Sequence, residues 1–469
     1  MTLKKYQVRN FREHIKNNKG LRFIFDNLKI SSIPGRDYLM ECKFLNKPFD
    51  IKVELQYLEY TIDFVKNSLS NADIDNLNLR LHQLNSISVT LRDLDKELIL
   101  DDIQLFEIKK FALLSKSISD ILCKKGFDIF QLHDLSGVIE LLDPDNTGEA
   151  SFYIYSSYSK KLSELRKIQQ QTHNEDPEKA ELIRQHCIEI EDTIRERLSQ
   201  KLISFARYLK INLDRIAHLD VLIAKSILVN EFNLCKPLID DNITEYKQVF
   251  NPFIKSKLLE QNKEFQAVDI SLDQKPVLIT GANMSGKTVL LRTLALSQLM
   301  FQFGFYVPSK EAKIKIVDDV ILSIGDNTNE YNGLSSFAME ILNINDIILK
   351  AKSGKIILAL VDELARTTNP DEGKALVSAF VSIMEKYKLS TVITTHYSGI
   401  KSDCRRLRVK GLKEESSSEK ISIKNINDFM DYSLIEVKDD TIPTEAIRIA
   451  KILDVDKELI ELAKSYLGS

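Results

Sequence analysis

The sequence predicts an α+β multidomain protein in which a helical domain precedes an α/β domain, and three observations carry that expectation. The chain has 469 residues, more than one ordinary hydrophobic core accommodates, so two or three domains are expected. From about Leu58 to Asn233, apolar residues recur at three- and four-residue spacing with glycine and proline scarce, the pattern of packed helices. After Cys235 and Pro237, short apolar runs alternate with helical segments: VLIT (277–280), KIILALVDE (355–363) and TVITT (391–395). Such runs suit strands buried on both faces of a parallel sheet.

Taken in order, residues 1–60 mix strand-like runs (LRFIFDNLKI, YLMECKF, FDIKVEL) around Pro34 and Gly35, which predicts a small α+β segment. Residues 61–235 form the helical domain. Within it, LLDPDNTGEASFYI (141–154) interrupts the helices, a helix begins near Ser157, and the polar turn THNEDPEK (172–179) leads into a second helix from about Ala180 to Val229. The result is a helical hairpin, suited to a lever, a dimer surface or plain bundle packing. Residues 236–412 form the α/β domain. Residues 413–469 hold a charged serine-rich loop, EESSSEK (414–420), a strand at YSLIEV (432–437) and a helix pair from Thr444 to Tyr466.

Apolar residues make up 43% of the chain and charged residues 28%, the balance of a globular protein. No run approaches the ~20 apolar residues that span a bilayer, and Met1 to Asn10 lacks the apolar core of a signal peptide. The expectation is a cytoplasmic protein with no membrane partner. Cys42, Cys123, Cys187, Cys235 and Cys404 are scattered without a CxxC pair, as befits reduced thiols. The formal net charge of −3 supplies no global field for nucleic acid. The most basic stretch, KSDCRRLRVKGLK (401–413), alternates Leu407 and Val409 with basic residues as a half-exposed strand does.

The chemistry concentrates between residues 276 and 396. GANMSGKT (281–288) matches GxxxxGK[ST] in full and lies between the strand PVLIT and the helix TVLLRTLALSQLM. In such a loop Gly281, Ala282, Asn283, Met284, Ser285 and Gly286 turn backbone N–H groups toward phosphates, Lys287 reaches the β- and γ-phosphates, and Thr288 offers its hydroxyl to Mg2+. The run ending at Asp362 and Glu363 reads as a Walker B strand, with Asp362 holding Mg2+ through water and Glu363 polarising the attacking water. TVITTH (391–396) delivers His396 to the carboxyl edge of the sheet, where it can sense the γ-phosphate. The predicted ligands are ATP and Mg2+, and the predicted activity is ATP hydrolysis, with Glu363, Lys287 and His396 catalytic.

These residues resemble the ATPase domain of the MutS family, which belongs to the ABC-like ATPases. GANMSGKT is similar to that family's phosphate loop, FGFYVPSKEAKI (303–314) to the strand that follows, DELARTTNPDEG (362–373) to its extended Walker B, and TTHYSGIK (394–401) to its last motif. The family completes each nucleotide site with a serine-containing loop from the opposite subunit. GLSSFAME (333–340) resembles that loop, which implies Ser335 as the residue acting in trans, and a homodimer or a heterodimer with a related subunit. The same resemblance implies that Phe265 stacks on adenine, that the helical domain is a core-and-lever region, and that the C-terminal helices dimerise. Upstream, LLDPDNTGEAS and YSKKLSELRKIQQQ are similar to the second bacterial MutS branch.

The chain also departs from the family. No Gly-x-Phe-Tyr-Glu wedge motif is found, THNEDPEK stands where a clamp domain would interrupt the lever helices, and Ala365 and Thr367 replace glycines after Walker B. Duplex binding needs several Lys and Arg contacts to phosphate, so the expected DNA binding is weak. The build is similar to short MutS-related ATPases that reactivate adenosylcobalamin-dependent lysine aminomutase, which implies a client protein. The alternative is mismatch repair or recombination on mismatched or branched duplex.

Overall fold

The computed structural model describes residues 10–149, 151–172, 176–282, 285–324, 336–366, 368–413, 429–438, 447, 450–451 and 455–467. The chain is an α+β multidomain protein that divides into two compact units. One comprises residues 28–42 and 57–227, the other residues 1–27, 43–56 and 228–469. The expected separate segment over residues 1–60 is therefore not a unit of its own. It is divided between the two, and the helical unit closes at residue 227 rather than 235.

Nor do the strand-like runs of that segment form strands. Residues Lys19–Asn27, Ile33–Glu41 and Pro48–Asp63 are helices. The apolar positions that tertiary packing buries, Leu21 and Ile24, then Ile51, Leu55 and Leu58, recur at three- and four-residue spacing. That helical period outweighs the strand preference of the aromatic and β-branched residues between them. Ser32 caps the second of these helices by accepting the Gly35 N–H, with Pro34 in its first turn.

The helical unit is built on long, capped helices. Asp101 and Gln104 form a capping box at the start of Asp102–Lys124. Asp176 caps Pro177–Ile203, whose first residue is the proline. The expected single helix over 180–229 is two helices, Pro177–Ile203 and Ala206–Phe232, separated at Ser204 and Phe205. Its hairpin partner runs over Lys160–Thr172, after a 3-10 turn at Ser156–Tyr158. Inside this unit Lys109 and Asp143 form an ion pair at 3.1 Å with side-chain exposures of 0% and 1%. Lys109 also donates to the Tyr155 hydroxyl at 2.9 Å and the Ser151 carbonyl at 3.0 Å. Asp143 accepts from the Thr147 hydroxyl and the Gly148 N–H, so both buried charges are satisfied and the 143–148 loop is drawn closed.

Among its described residues the second unit contains ten strands: β1 (Leu238–Asp240), β2 (Thr244–Val249), β3 (Val268–Leu272), β4 (Val277–Thr280), β5 (Glu311–Lys315), β6 (Asp319–Ser323), β7 (Ile357–Val361), β8 (Thr391–Thr394), β9 (Arg405–Leu412) and β10 (Met430–Glu436). They form a four-stranded sheet, β1-β5-β2-β3, and a six-stranded sheet, β10-β9-β4-β8-β7-β6. In the larger sheet, β6, β7, β8, β4 and β9 are parallel and β10 is antiparallel to β9. The strand expected at 432–437 is thus an edge of this sheet rather than part of a separate C-terminal segment.

β4 and β7 are buried at every residue, as strands covered on both faces must be. Helix Lys287–Gln302 is buried at thirteen of its positions, and helix Pro370–Lys386 packs Val377, Phe380, Val381 and Met384 into the core around β7 and β8. β9 alternates as its sequence suggests, with Leu407 and Val409 buried. Of the expected C-terminal helix pair, the second is present as Lys457–Leu467. In that helix Leu462 has half of its surface exposed.

Candidate nucleotide site

Because β4, β8 and β7 are adjacent and parallel, their carboxyl ends place three distant segments of the sequence side by side. Gly281 follows β4, Asp362 and Glu363 follow β7, and His396 lies two residues beyond β8. The turn into helix Lys287–Gln302 requires Gly286, whose φ of +82° an L side chain resists. A Cβ at Gly281 would lie 2.9 Å from the Ser285 hydroxyl, so the loop closes tightly only with glycine there. Ser285 Oγ is itself buried and without a hydrogen-bond partner among the described residues. A buried orphan hydroxyl at a helix N-terminus suits an anionic ligand.

Lys287 is 5% exposed, and its ammonium donates to the carbonyls of Gly281 at 2.8 Å and Ala282 at 3.1 Å. It stands 3.6 Å from Glu363 Oε1. Burial pushes the Lys287 pKa down, and the carboxylates of Glu363 and Asp362 oppose that shift. Thr288 Oγ1 donates to Asp362 Oδ2 at 2.6 Å. The other oxygen, Oδ1, accepts from Thr394 Oγ1 at 2.5 Å, and the same Thr394 hydroxyl accepts the Glu363 N–H at 3.0 Å. Glu363 is further paired with Arg366 at 3.1 Å. His396 is exposed, yet partial loss of hydration holds its pKa below the ordinary value, against the pull of Glu363.

Beside the loop lies a cavity of about 240 Å³ with a largely apolar wall, lined by Phe265, Ile254, Leu258, Leu290 and Tyr432 and floored by Ser285, Gly286 and Lys287. Its shape and lining suit a planar ring whose substituents reach the loop. A Cβ at Gly286 would lie 3.0 Å from the Tyr432 ring, so glycine also admits that aromatic wall.

Of the residues expected at the site, Gly281, Ala282, Ser285, Gly286, Lys287, Thr288, Asp362, Glu363, His396 and Phe265 are gathered in this region. Asn283, Met284, Ser335 and Thr367 lie outside the described residues. Several contributors were not singled out from the sequence. Thr394 had a signal, standing two residues before His396 at the end of a buried strand. Gln266 and Tyr432 had none. Gln266 donates to Asp431 Oδ1 at 2.8 Å and Ser433 Oγ at 3.1 Å and accepts the Tyr432 N–H at 3.0 Å, so it ties β10 to the cavity wall across 166 residues.

A glycine-built turn between a central parallel strand and a buried helix, with acids at the end of a neighbouring strand, defines a P-loop nucleotide-binding domain. The family profile described as MutS domain V matches residues 277–468, so this part of the chain is similar to that domain. The DNA mismatch repair protein MutS of Prochlorococcus marinus (strain AS9601) is 32% identical over 264 residues, 54% of this chain and 28% of that protein. Endonuclease MutS2 of Carboxydothermus hydrogenoformans is 29% identical over 285 residues, 60% of this chain and 34% of the relative. Endonuclease MutS2 of Ligilactobacillus salivarius is 34% identical over 210 residues, 44% of this chain and 26% of the relative. The chain thus spans about a third or less of the length of these relatives.

Proposed function

We propose that the protein binds ATP with Mg2+ and hydrolyses it, and that it uses this cycle as a dimeric switch. The observation that carries the reading is the joining of Thr288, Asp362 and Thr394 by two short hydrogen bonds beside the buried Lys287. Thr288 and Asp362 are the groups that would hold Mg2+, which when bound neutralises phosphate charge. Lys287 and the loop N–H groups hold the phosphates, and the Phe265 and Tyr432 cavity takes the base. Glu363 orients and polarises the attacking water, and His396 senses the γ-phosphate. Ser335 completes the site from the second subunit, identical or related.

The switch acts on a client protein in this reading, and the resemblance points to an adenosylcobalamin-dependent lysine aminomutase in need of reactivation. Support comes from the hairpin, whose helices Lys160–Thr172 and Pro177–Ile203 are so close in sequence that no clamp domain is inserted between them. Three of its basic residues are also engaged in ion pairs: Arg166 with Glu191, Arg184 with Glu181 and Arg195 with Asp102. The second reading, action on mismatched or branched DNA, is favoured by the similarity to DNA mismatch repair protein MutS.

Two experiments test these readings. Lys287→Ala abolishes ATP binding in an equilibrium titration, and normal hydrolysis by that variant refutes the site. An anisotropy titration at physiological salt with matched, mismatched and branched duplexes decides the target. Weak, salt-dependent binding without discrimination supports the client reading, whereas a preference of about tenfold for mismatch, worth about 1.4 kcal/mol, restores the repair reading.

A further inference from the structure

Two non-glycine residues lie in left-handed backbone within three positions of each other, Glu363 at φ +48° and Ala365 at φ +61°. Each conformation is unfavourable for an L residue and persists only where the surroundings impose it. For Glu363 the constraint is β8, since its N–H is shared between the carbonyl and the hydroxyl of Thr394. For Ala365 the constraint comes from two other directions. Its N–H donates to Glu340 Oε1 at 2.7 Å, from helix Ser336–Lys352, and its carbonyl accepts the Tyr397 hydroxyl at 2.6 Å.

Ala365 is fully buried and Tyr397 is 5% exposed, so neither bond is readily replaced by water. The Tyr397 hydroxyl fits because residue 373 is glycine, where a Cβ would stand 2.4 Å from it. The next residue in the chain, Arg366, pairs with the Glu363 carboxylate. Both ends of the Glu363–Ala365 turn are therefore held, one by β8 and the other by the Glu340 and Tyr397 side chains.

We infer that Glu340 and Tyr397 are positioning residues that aim the Glu363 carboxylate by gripping the Ala365 peptide. The inference rests on the ATP-hydrolysis reading above. Neither residue bonds to the phosphate loop among the described residues. Releasing the peptide lets Ala365 relax toward right-handed backbone, which carries Arg366 and the carboxylate out of register while leaving the nucleotide-binding surface intact.

The test measures kcat, KM, equilibrium affinity for a fluorescent ATP analogue, and melting temperature in the full chain with Mg2+. Tyr397→Phe, Glu340→Ala and Gly373→Ala each lower kcat by about tenfold, the effect of about one lost hydrogen bond on a barrier, with nucleotide affinity within about threefold of wild type. Glu340→Gln, which keeps an acceptor oxygen, retains most of the activity. Glycine adopts φ +61° without strain, so adding Ala365→Gly to Tyr397→Phe recovers several-fold of the lost kcat. Should Tyr397→Phe fail to fold, Glu340→Ala and Gly373→Ala carry the same comparison. Unchanged kcat in these variants overturns the inference while wild-type hydrolysis leaves the ATPase reading standing. Parallel losses of kcat, affinity and melting temperature, without rescue by Ala365→Gly, overturn it too. A wild type that neither binds nor hydrolyses ATP removes both.

Discussion

Thr288 and Asp362, 74 residues apart in sequence, are joined by a 2.6 Å hydrogen bond between hydroxyl and carboxylate. The bond brings a hydroxyl at the start of helix Lys287–Gln302 to the acid at the end of β7, the pair of oxygens a hard divalent cation prefers. Asp362→Asn keeps the hydrogen-bonding shape and removes the charge. Mg2+-dependent ATP hydrolysis is expected to fall by roughly 100-fold or more, as for other losses of charge stabilisation at a phosphoryl centre. Thr288→Ala is expected to raise the Mg2+ concentration needed for half-maximal rate. Titration of rate against Mg2+ checks both, and an unchanged midpoint in the two variants rejects the metal assignment.

Glu363 touches Lys287 and Arg366 but not the phosphate loop backbone in the described contacts. Glu363→Gln is therefore expected to bind ATP with near-normal affinity and to turn it over at most about a hundredth as fast, since the water-orienting charge is lost. The nucleotide-bound form then accumulates. Mass photometry with saturating ATP should record a dimer, and copurification should recover the client. A strict monomer under those conditions rejects completion of the site by a second subunit.

Ala365 offers a stability test independent of activity. Replacing alanine by glycine in a helix costs about 1 kcal/mol, and Ala379→Gly in helix Pro370–Lys386 serves as that control. At Ala365 the sign should reverse. Relief of the left-handed backbone gains roughly 1 to 2 kcal/mol, and loss of the buried methyl returns about 0.8 kcal/mol. Thermal melting should show Ala365→Gly at or above wild type and Ala379→Gly below it.

The buried Lys109 and Asp143 pair predicts acid sensitivity of the helical unit. Burial pushes the Asp143 carboxyl up, but the Gly148 N–H, the Thr147 hydroxyl and the Lys109 ammonium outweigh it and hold the pKa to about 2. A carboxyl with a depressed folded pKa contributes stability above its unfolded value near 3.8 and loses it as the pH falls toward 2. Denaturation monitored between pH 5 and pH 2 should therefore be less steep in Asp143→Asn, which is already destabilised at neutral pH by leaving the Lys109 ammonium unpaired. An identical pH dependence in the two proteins rejects this role.

Residues that act through local spacing were legible in the sequence. GANMSGKT needs only its own glycines and the flanking strand and helix periods to declare a phosphate loop, and IILALVDE declares a buried strand ending in acids. Strands β4, β7, β8 and β9 were readable because burial on both faces, or on one, imposes a run or an alternation that propensity does not contradict. Only the tertiary structure decided the rest. The helices over Lys19–Asn27 and Pro48–Asp63 follow from which positions packing buries, not from their strand-forming side chains. Contacts such as Gln266 with Asp431, Thr394 with Asp362, and Glu340 and Tyr397 with Ala365 join segments far apart in the chain. No local pattern specifies such pairs, because sheet order, strand register and helix packing bring them within bonding distance.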